Sequence, residues 1–388
     1  MKVLQIASFD GNIGDVANHD GFRNSLINNL NVDVEFTSLE MRKFYRNWNE
    51  LKFNEDFVNY ANKFDLIIFG GGGFFELKWD YSSTGTTIDV TNDILNKIKP
   101  PIIFNCIGTT MSKGATESTI NKFKNFMDYC IRSNKILFTV RNDGSLDLIK
   151  KLYGNEYGEK VIKVPDGGFF VKPHKYIHYE FNKNDKFIAI NIAADMPEIR
   201  FDGKGKHINK EEFINKFAQY INETLERYKE LKIIFIPHIF KDYELISEVS
   251  KKINDRLLRT RITCAPCLNG SITDGLYNFD IYKNAILAVG MRYHANVCSI
   301  GMGIPTIGIC TIDPHFKLYE DIGLSHRCIK ANEEGFEFKL FELTEYALNH
   351  LDEFKRENIK VMEKNNKQNN VYHEIIHNFL IENNVIGD

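Results

Sequence analysis

At 388 residues the chain exceeds the ~250–300 residues that one hydrophobic core organises, so its length implies two domains. With 43% hydrophobic and 26% charged residues it has the composition of a globular protein and not of a disordered one. A net charge of −3 excludes a general attraction to nucleic acid, and no apolar run approaches the ~20 residues that span a bilayer.

The first residues, Met1–Ser8, read as a strand and lack the basic and apolar regions of a signal peptide. Seven scattered cysteines, with Cys106, Cys264 and Cys310 inside strand-like runs, predict free, buried thiols and a cytoplasmic location. Cys264 and Cys267 form a lone CxxC pair with no second pair and no histidine cluster, so no metal or redox centre is expected there.

Apolar β-rich runs alternate with helix-period segments, the pattern of a parallel α/β protein. In the first half the strands predicted are Val3–Ser8, Val34–Ser38, Leu66–Phe69, Ile102–Cys106, Ile136–Val140 and Val161–Val164. Helices are predicted over Asp15–Leu30, Glu117–Ile131 and Ser145–Leu152, with apolar residues at three- and four-residue spacing. The polar stretch Lys172–Lys186 reads as an interdomain linker. Strands then recur at Phe187–Ile192, Ile233–Ile236, Arg261–Cys264, Ile286–Val289 and Thr306–Ile309, with helices about Lys210–Tyr228, Tyr243–Asn254 and Tyr277–Asn284. After Gly335 the pattern is helical to Phe379. The fold class predicted is α/β: two tandem doubly wound Rossmann-like domains, 1–175 and 186–335, closed by C-terminal helices in 336–388. This layout resembles the GT-B architecture of sugar-handling transferases, in which the active site lies between the domains; fold alone does not specify a reaction.

Ligands of open α/β sheets sit outside the carboxyl ends of strands, so those ends are where chemistry is sought. The first βα turn carries Asn12, Gly14 and Asp15 ahead of a helix whose free N–H groups suit an anion; Asp15 either caps that helix or orients a sugar hydroxyl. The third strand runs into Gly70, Gly71, Gly72 and Gly73, read as a loop whose bare backbone admits a phosphate or sugar oxygen. No Gly-Lys-Ser/Thr follows, which disfavours a nucleoside triphosphate. Arg141 stands where the fifth strand stops, free to reach an anion or to pair with Asp143, and Asp166 repeats the pattern after the sixth. In the second half His238 follows Pro237 at a strand end.

The run Gly290–Ile309 is the most informative: Arg292 and His294 occupy the turn between a buried strand and a short helix. An arginine and a histidine at one strand end suit an anionic substrate and a proton transfer, although a structural histidine has the same spacing. His315 and Lys317 follow the last strand, after Asp313-Pro314. The segment Arg42–Trp48 mixes basic and aromatic residues and suits either a membrane surface with a lipid-linked acceptor or ordinary core packing.

With these residues laid out, the chain resembles the polysaccharide pyruvyl transferase family. The resemblance is carried by Asn12-Ile13-Gly14-Asp15, Asp65 ahead of Gly70–Gly73, Arg141 before Ser145, Pro165-Asp166, and most specifically Gly290-Met291-Arg292-Tyr293-His294-Ala295 followed by Gly303-Ile304-Pro305. It implies transfer of the enolpyruvyl unit of phosphoenolpyruvate to two hydroxyls of a sugar, with phosphate released. It further implies Arg292 and Arg141 on the donor anion, His294 as general acid, Asp15 on the acceptor side, and no metal or cofactor. His315 and Lys317 both stand near the position of the family's basic residue. A sugar acceptor follows from the same resemblance, which is silent on oligomeric state; a lipid-linked form of it and contact with the inner membrane face are expectations from the segment Arg42–Trp48. The rival reading is a GT-B glycosyltransferase with a nucleotide-sugar donor, against which the helix after Gly290 carries no Asp or Glu to hold a ribose.

Overall fold

The computed structural model describes the chain except residues 31, 46–47, 202–206, 269–271 and 388, with the backbone alone for 272–274. Arg46 and Asn47 of the basic-aromatic segment therefore lie outside the described residues. The chain divides into two compact units, each built on one six-stranded sheet in which every pairing is parallel.

The first unit comprises Met1–Phe9, Phe22–Gly167 and Lys364–Asp388. Its strands are β1 (Lys2–Ala7), β2 (Glu35–Glu40), β3 (Leu66–Glu76), β4 (Ile102–Thr110), β5 (Ile136–Arg141) and β6 (Ile162–Val164), in the order β2-β1-β3-β4-β5-β6. The second comprises Asp10–Gly21 and Gly168–Glu363. Its strands are β7 (Lys186–Asn191), β8 (Leu231–Phe235), β9 (Ile262–Cys264), β10 (Leu287–Gly290), β11 (Thr306–Cys310) and β12 (Cys328–Lys330), in the order β12-β11-β10-β7-β8-β9. Central strands such as β4, β10 and β11 are buried along nearly their whole length. That burial is why they read in the sequence as unbroken apolar runs and not as alternating ones. In the second sheet the strand order reverses between β7 and β10, the switch point at which doubly wound sheets open a crevice.

Three expectations need correction. The four glycines do not form a loop: β3 continues through them to Glu76, and Gly70 and Gly72 pair in register with Asn105 and Ile107 of β4. Gly70 (φ +109°) and Gly72 (φ +138°) hold left-handed backbone where the ladder shifts register, which is what demands glycine here. The linker is no free connector, because it is strapped to the helix Ile272–Asn284 of its own unit. There His178 Nε2 lies 2.8 Å from Asp280 Oδ2, the Tyr176 N–H donates to the same oxygen at 2.8 Å, and Tyr277 donates to Glu180. Cys310 and Cys328, expected as free thiols, are joined, since the pairing of β11 with β12 sets their Cα atoms 6.4 Å apart. The other five cysteines form no disulfide, and burial pushes the Cys264 and Cys267 thiols up to about 12 and about 11, leaving neither as a thiolate near neutrality.

A Cβ added at Gly70 would meet the Asn105 carbonyl at 2.5 Å, whereas one at Gly73 would meet nothing within 4 Å. Gly70→Ala is thus expected to cost roughly 2–5 kcal/mol and Gly73→Ala less than about 0.5 kcal/mol. Urea denaturation of the two variants checks this; equal stabilities would show that the glycine run serves something other than the β3 backbone.

Candidate functional site

The second unit gathers its polar groups where β7, β8 and β10 end. Asn191, the last residue of β7, ties the three together: its side chain donates to the Ile236 carbonyl at 2.9 Å and accepts the Arg292 N–H at 2.9 Å. This fixes the turn that follows β10. Asn296 secures the same turn from the helix Tyr293–Gly301 by donating to the carbonyls of Gly290 and Arg292 at 3.0 and 2.8 Å.

Arg292 is held on two sides. Its Nε and Nη2 donate to the two oxygens of Asp242 at 2.8 and 2.5 Å, and Nη2 donates again to Asp195 at 2.9 Å. Asp242, wholly buried, also accepts the His238 and Ile239 N–H groups at 2.9 and 3.2 Å and so heads the helix Asp242–Ser250. Arg200 reinforces Asp195 with donations to its backbone and side chain at 2.9 and 3.3 Å. Burial works to raise the Asp195 carboxyl, but the Arg292 and Arg200 guanidinium groups outweigh it and hold it at about 2. Burial likewise works against the Arg292 charge, and Asp242 and Asp195 overcome it, so this arginine stays protonated at every accessible pH.

His294 opens the helix Tyr293–Gly301, and its ring lies against Asp10–Gly21, the segment that belongs to this unit. Its Nδ1 is 3.7 Å from Asp15 Oδ1 and its Nε2 is 3.4 Å from Asn18 Nδ2. Gly14 is glycine because an added Cβ would sit 2.7 Å from the His294 Cβ. The Ile13 N–H donates to the His238 carbonyl at 3.1 Å, which docks the start of the helix Ile13–Leu30 beside the end of β8. Asn12, and not Asp15, takes the capping role: its side chain accepts the Gly14 N–H at 3.0 Å and donates to Asp15 at 3.0 Å. Asp15 is left to face His294.

His238 is completely buried, with Nε2 3.0 Å from the Tyr282 hydroxyl. Burial first, then the Arg292 guanidinium, push its pKa well below the usual imidazole range, so it is neutral and serves as a hydrogen-bonding group. His315 is buried with its ring 6.1 Å from that of Tyr293, whereas Lys317 is half exposed and pairs with Glu320 at 2.7 Å.

The remaining candidates belong to the first unit. Arg141 donates from Nε to Asp143 at 2.8 Å and sets Nη1 3.5 Å from Asp166. Asn142 accepts the Asp166 N–H at 3.2 Å, and Asp143 also accepts from Ser145. Of the glycine run, Gly71 and Gly72 are buried and Gly73 is exposed.

The structure thus brings Asn12, Asp15, His238, Arg292 and His294 together in one unit, and Arg141 with Asp166 in the other. Asn18, Asn191, Asp195 and Asp242 were missed in the sequence. Only Asp242 had a signal there: an acidic residue just before a helix pattern, four positions past a strand-end histidine.

Two tandem Rossmann-type sheets define the GT-B class of α/β proteins, and solved structures agree. A putative UDP-N-acetylglucosamine 2-epimerase from Listeria monocytogenes is 11% identical over 92% of this chain and 90% of that one, with a TM-score of 0.56. The S. aureus MnaA–UDP co-structure gives 11% identity, 92% and 90% coverage and a TM-score of 0.53. Anabaena Alr3699/HepE in complex with UDP and glucose gives 11%, 98% and 98%, and 0.50. At such identity the likeness is one of fold. The model of the polysaccharide pyruvyl transferase family matches residues 2–310. The chain belongs to that family and is a transferase of that class. No curated protein matches it. Among the described residues no helix is long and apolar enough to cross a membrane.

The depressed Asp195 carboxyl makes a signed prediction. Its pKa of about 2 lies below the unfolded value of 3.8, so its contribution is complete above about pH 4 and lost as pH falls towards 2. That contribution is at most about 2 kcal/mol. Asp195→Asn should flatten the acid limb of stability between pH 5 and pH 2, read by urea denaturation at each pH; an unchanged limb would contradict the pairing with Arg292.

Proposed function

We propose that this transferase moves the enolpyruvyl unit of phosphoenolpyruvate onto two hydroxyls of one sugar, forming a pyruvate ketal and releasing phosphate. The observation that carries the reading is the pairing of an immobilised guanidinium, Arg292, with a histidine, His294, at the switch point of the second sheet. His294 there faces a carboxylate, Asp15.

In this reading His294 delivers a proton to the methylene carbon of the donor, and C2 becomes electrophilic. A sugar hydroxyl attacks C2, the C2–O bond to phosphate breaks, and a second hydroxyl of the same sugar closes the ring. Of the two hydroxyl protons one ends on the new methyl group and one on phosphate, so the reaction balances without metal or cofactor. Asp15, beside the imidazole, orients it and accepts the proton of an incoming hydroxyl. Nε and Nη2 of Arg292 are committed to carboxylates, which leaves the Nη1 edge for the donor anion and fixes its direction. Arg141, Asn12, Asp166, the Gly71–Gly73 backbone, His238, His315 and Lys317 retain their expected substrate-binding roles as proposals. The acceptor is proposed to be a sugar of a surface polysaccharide or its lipid-linked precursor, handled at the cytoplasmic membrane face.

The arginine needs a conservative variant. Arg292→Ala would leave the buried Asp242 uncompensated and Asp195 with Arg200 alone, at a cost of about 3–5 kcal/mol, so a dead enzyme could be an unfolded one. His294→Ala and Arg292→Lys are expected to fold and to lower the rate ~10²–10⁴-fold. The assay is phosphate release from phosphoenolpyruvate, together with a sugar product heavier by pyruvic acid less one water. Full activity in folded His294→Ala would remove the proposed acid, and release of a nucleoside diphosphate from a nucleotide-sugar would replace the donor.

A further inference from the structure

The first unit holds a cavity of about 660 Å³, within the ~300–1,000 Å³ range of small-molecule sites, which none of the groups above lines. It is bounded by the segment after β2 and by the loop between β3 and the helix Asn92–Lys97. Its walls are aromatic: Tyr45 and Trp79 meet edge to face with ring centroids 6.1 Å apart, and Trp79 and Tyr81 do so at 5.7 Å. Trp79 lines the cavity, and among the described residues its buried indole N–H has no hydrogen-bond partner.

The polar groups on the wall are half used. Asn54 and Thr91 each cap a helix with the side-chain oxygen, accepting the Phe57 and Ile94 N–H groups at 3.2 and 3.3 Å. That use leaves the Asn54 amide and the Thr91 O–H as donors. Asp89 accepts the N–H and O–H of Ser83 on Oδ1 at 2.7 and 2.9 Å, which leaves Oδ2 as an acceptor. Among the described residues the charged ones lining the cavity are Lys52 and Asp89, one of each sign. Aromatic faces beside paired donors and acceptors, with the charges of the described lining residues balanced, suit a neutral pyranose, apolar on its ring faces and hydroxylated at its rim.

We propose that this cavity is a saccharide-binding subsite for a neutral sugar of the glycan the transferase works on. The inference rests on the family's polysaccharide chemistry and not on the identity of the donor. It gives the basic-aromatic segment, expected to face a membrane or a core, a third occupation: Phe44 and Tyr45 are buried in the unit and both line this cavity.

The chain has two tryptophans, Trp48 and Trp79, so Trp48→Phe makes Trp79 the sole indole reporter. In that variant, titration with glucose, galactose, mannose, N-acetylglucosamine, lactose and cellobiose, without phosphoenolpyruvate, should give a saturable fluorescence change with at least one sugar. Adding Asp89→Ala should weaken binding at least tenfold, and Lys52→Ala, at an exposed position, serves if Asp89→Ala does not fold. No saturable change with any of the six, or equal binding in the folded second-site variants, overturns the subsite. Binding without ketal formation would instead sink the phosphoenolpyruvate reading. Ketal formation with an acceptor KM unmoved by Asp89→Ala would sink the subsite alone.

Discussion

The second unit depends on one interaction, the fork between Arg292 and Asp242. Taken singly, each group is a liability, since an unpaired charge buried to this degree costs several kcal/mol. Paired bidentately, and with the spare valences of Asp242 filled by backbone N–H groups at the head of a helix, the two become a rigid joint between the end of β10 and the segment after β8. The joint does more for position than for stability. It sets the path of residues 290–294, and through that path the placing of His294 against Asp15.

The alternation of apolar runs made the fold legible in the sequence. Every run read as a strand is a strand, and the central ones stand out because strands buried on both faces have no solvent period to obscure them. Among the described residues the strand missed is β12, three residues at a sheet edge; β6 and β9 are as short and also lie at edges, yet were read, so length alone does not explain the miss. The helices Glu55–Ala61, Asp255–Arg261 and Asp313–Asp321 were missed as well. Boundaries failed at the glycines, where turn chemistry suggested a stop and the ladder continued through a register shift. Cys310 and Cys328 gave no warning of their link, since pairing across strands is a tertiary fact.

The candidate site was half legible. Arg292, His294 and Asp15 are visible because cationic and acidic residues at strand ends stand out against apolar neighbours. Asp195 is not, because nothing local distinguishes a carboxylate that meets an arginine 97 residues away from one that meets water, and Asp242 shows only as an acidic residue ahead of a helix pattern. The assignment of Asp15 to the same group as His294 was likewise beyond a reading by domains. Residues 10–21 follow β1 of the first unit, yet their contacts belong to the second. Gly14 records that fact in hindsight: its missing side chain is the space His294 fills.

Both units use the same device at a strand end. Arg141 at the end of β5 is held by Asp143 and Asp166, and Arg292 after β10 is held by Asp242 and Asp195. In each case two carboxylates stand against the arginine, in the second with Arg200 sharing Asp195, so neither place presents the broad positive field by which a cationic patch collects anions from a distance. What such an arginine offers is direction: a few N–H bonds aimed from a frame that cannot swing, with little rotamer entropy left to lose when a ligand arrives. A small polyanion such as phosphoenolpyruvate could be gathered by charge alone. Presenting one carbon of it to one imidazole and to two hydroxyls of one sugar requires the geometry to be settled beforehand, and carboxylates standing behind the arginine settle it.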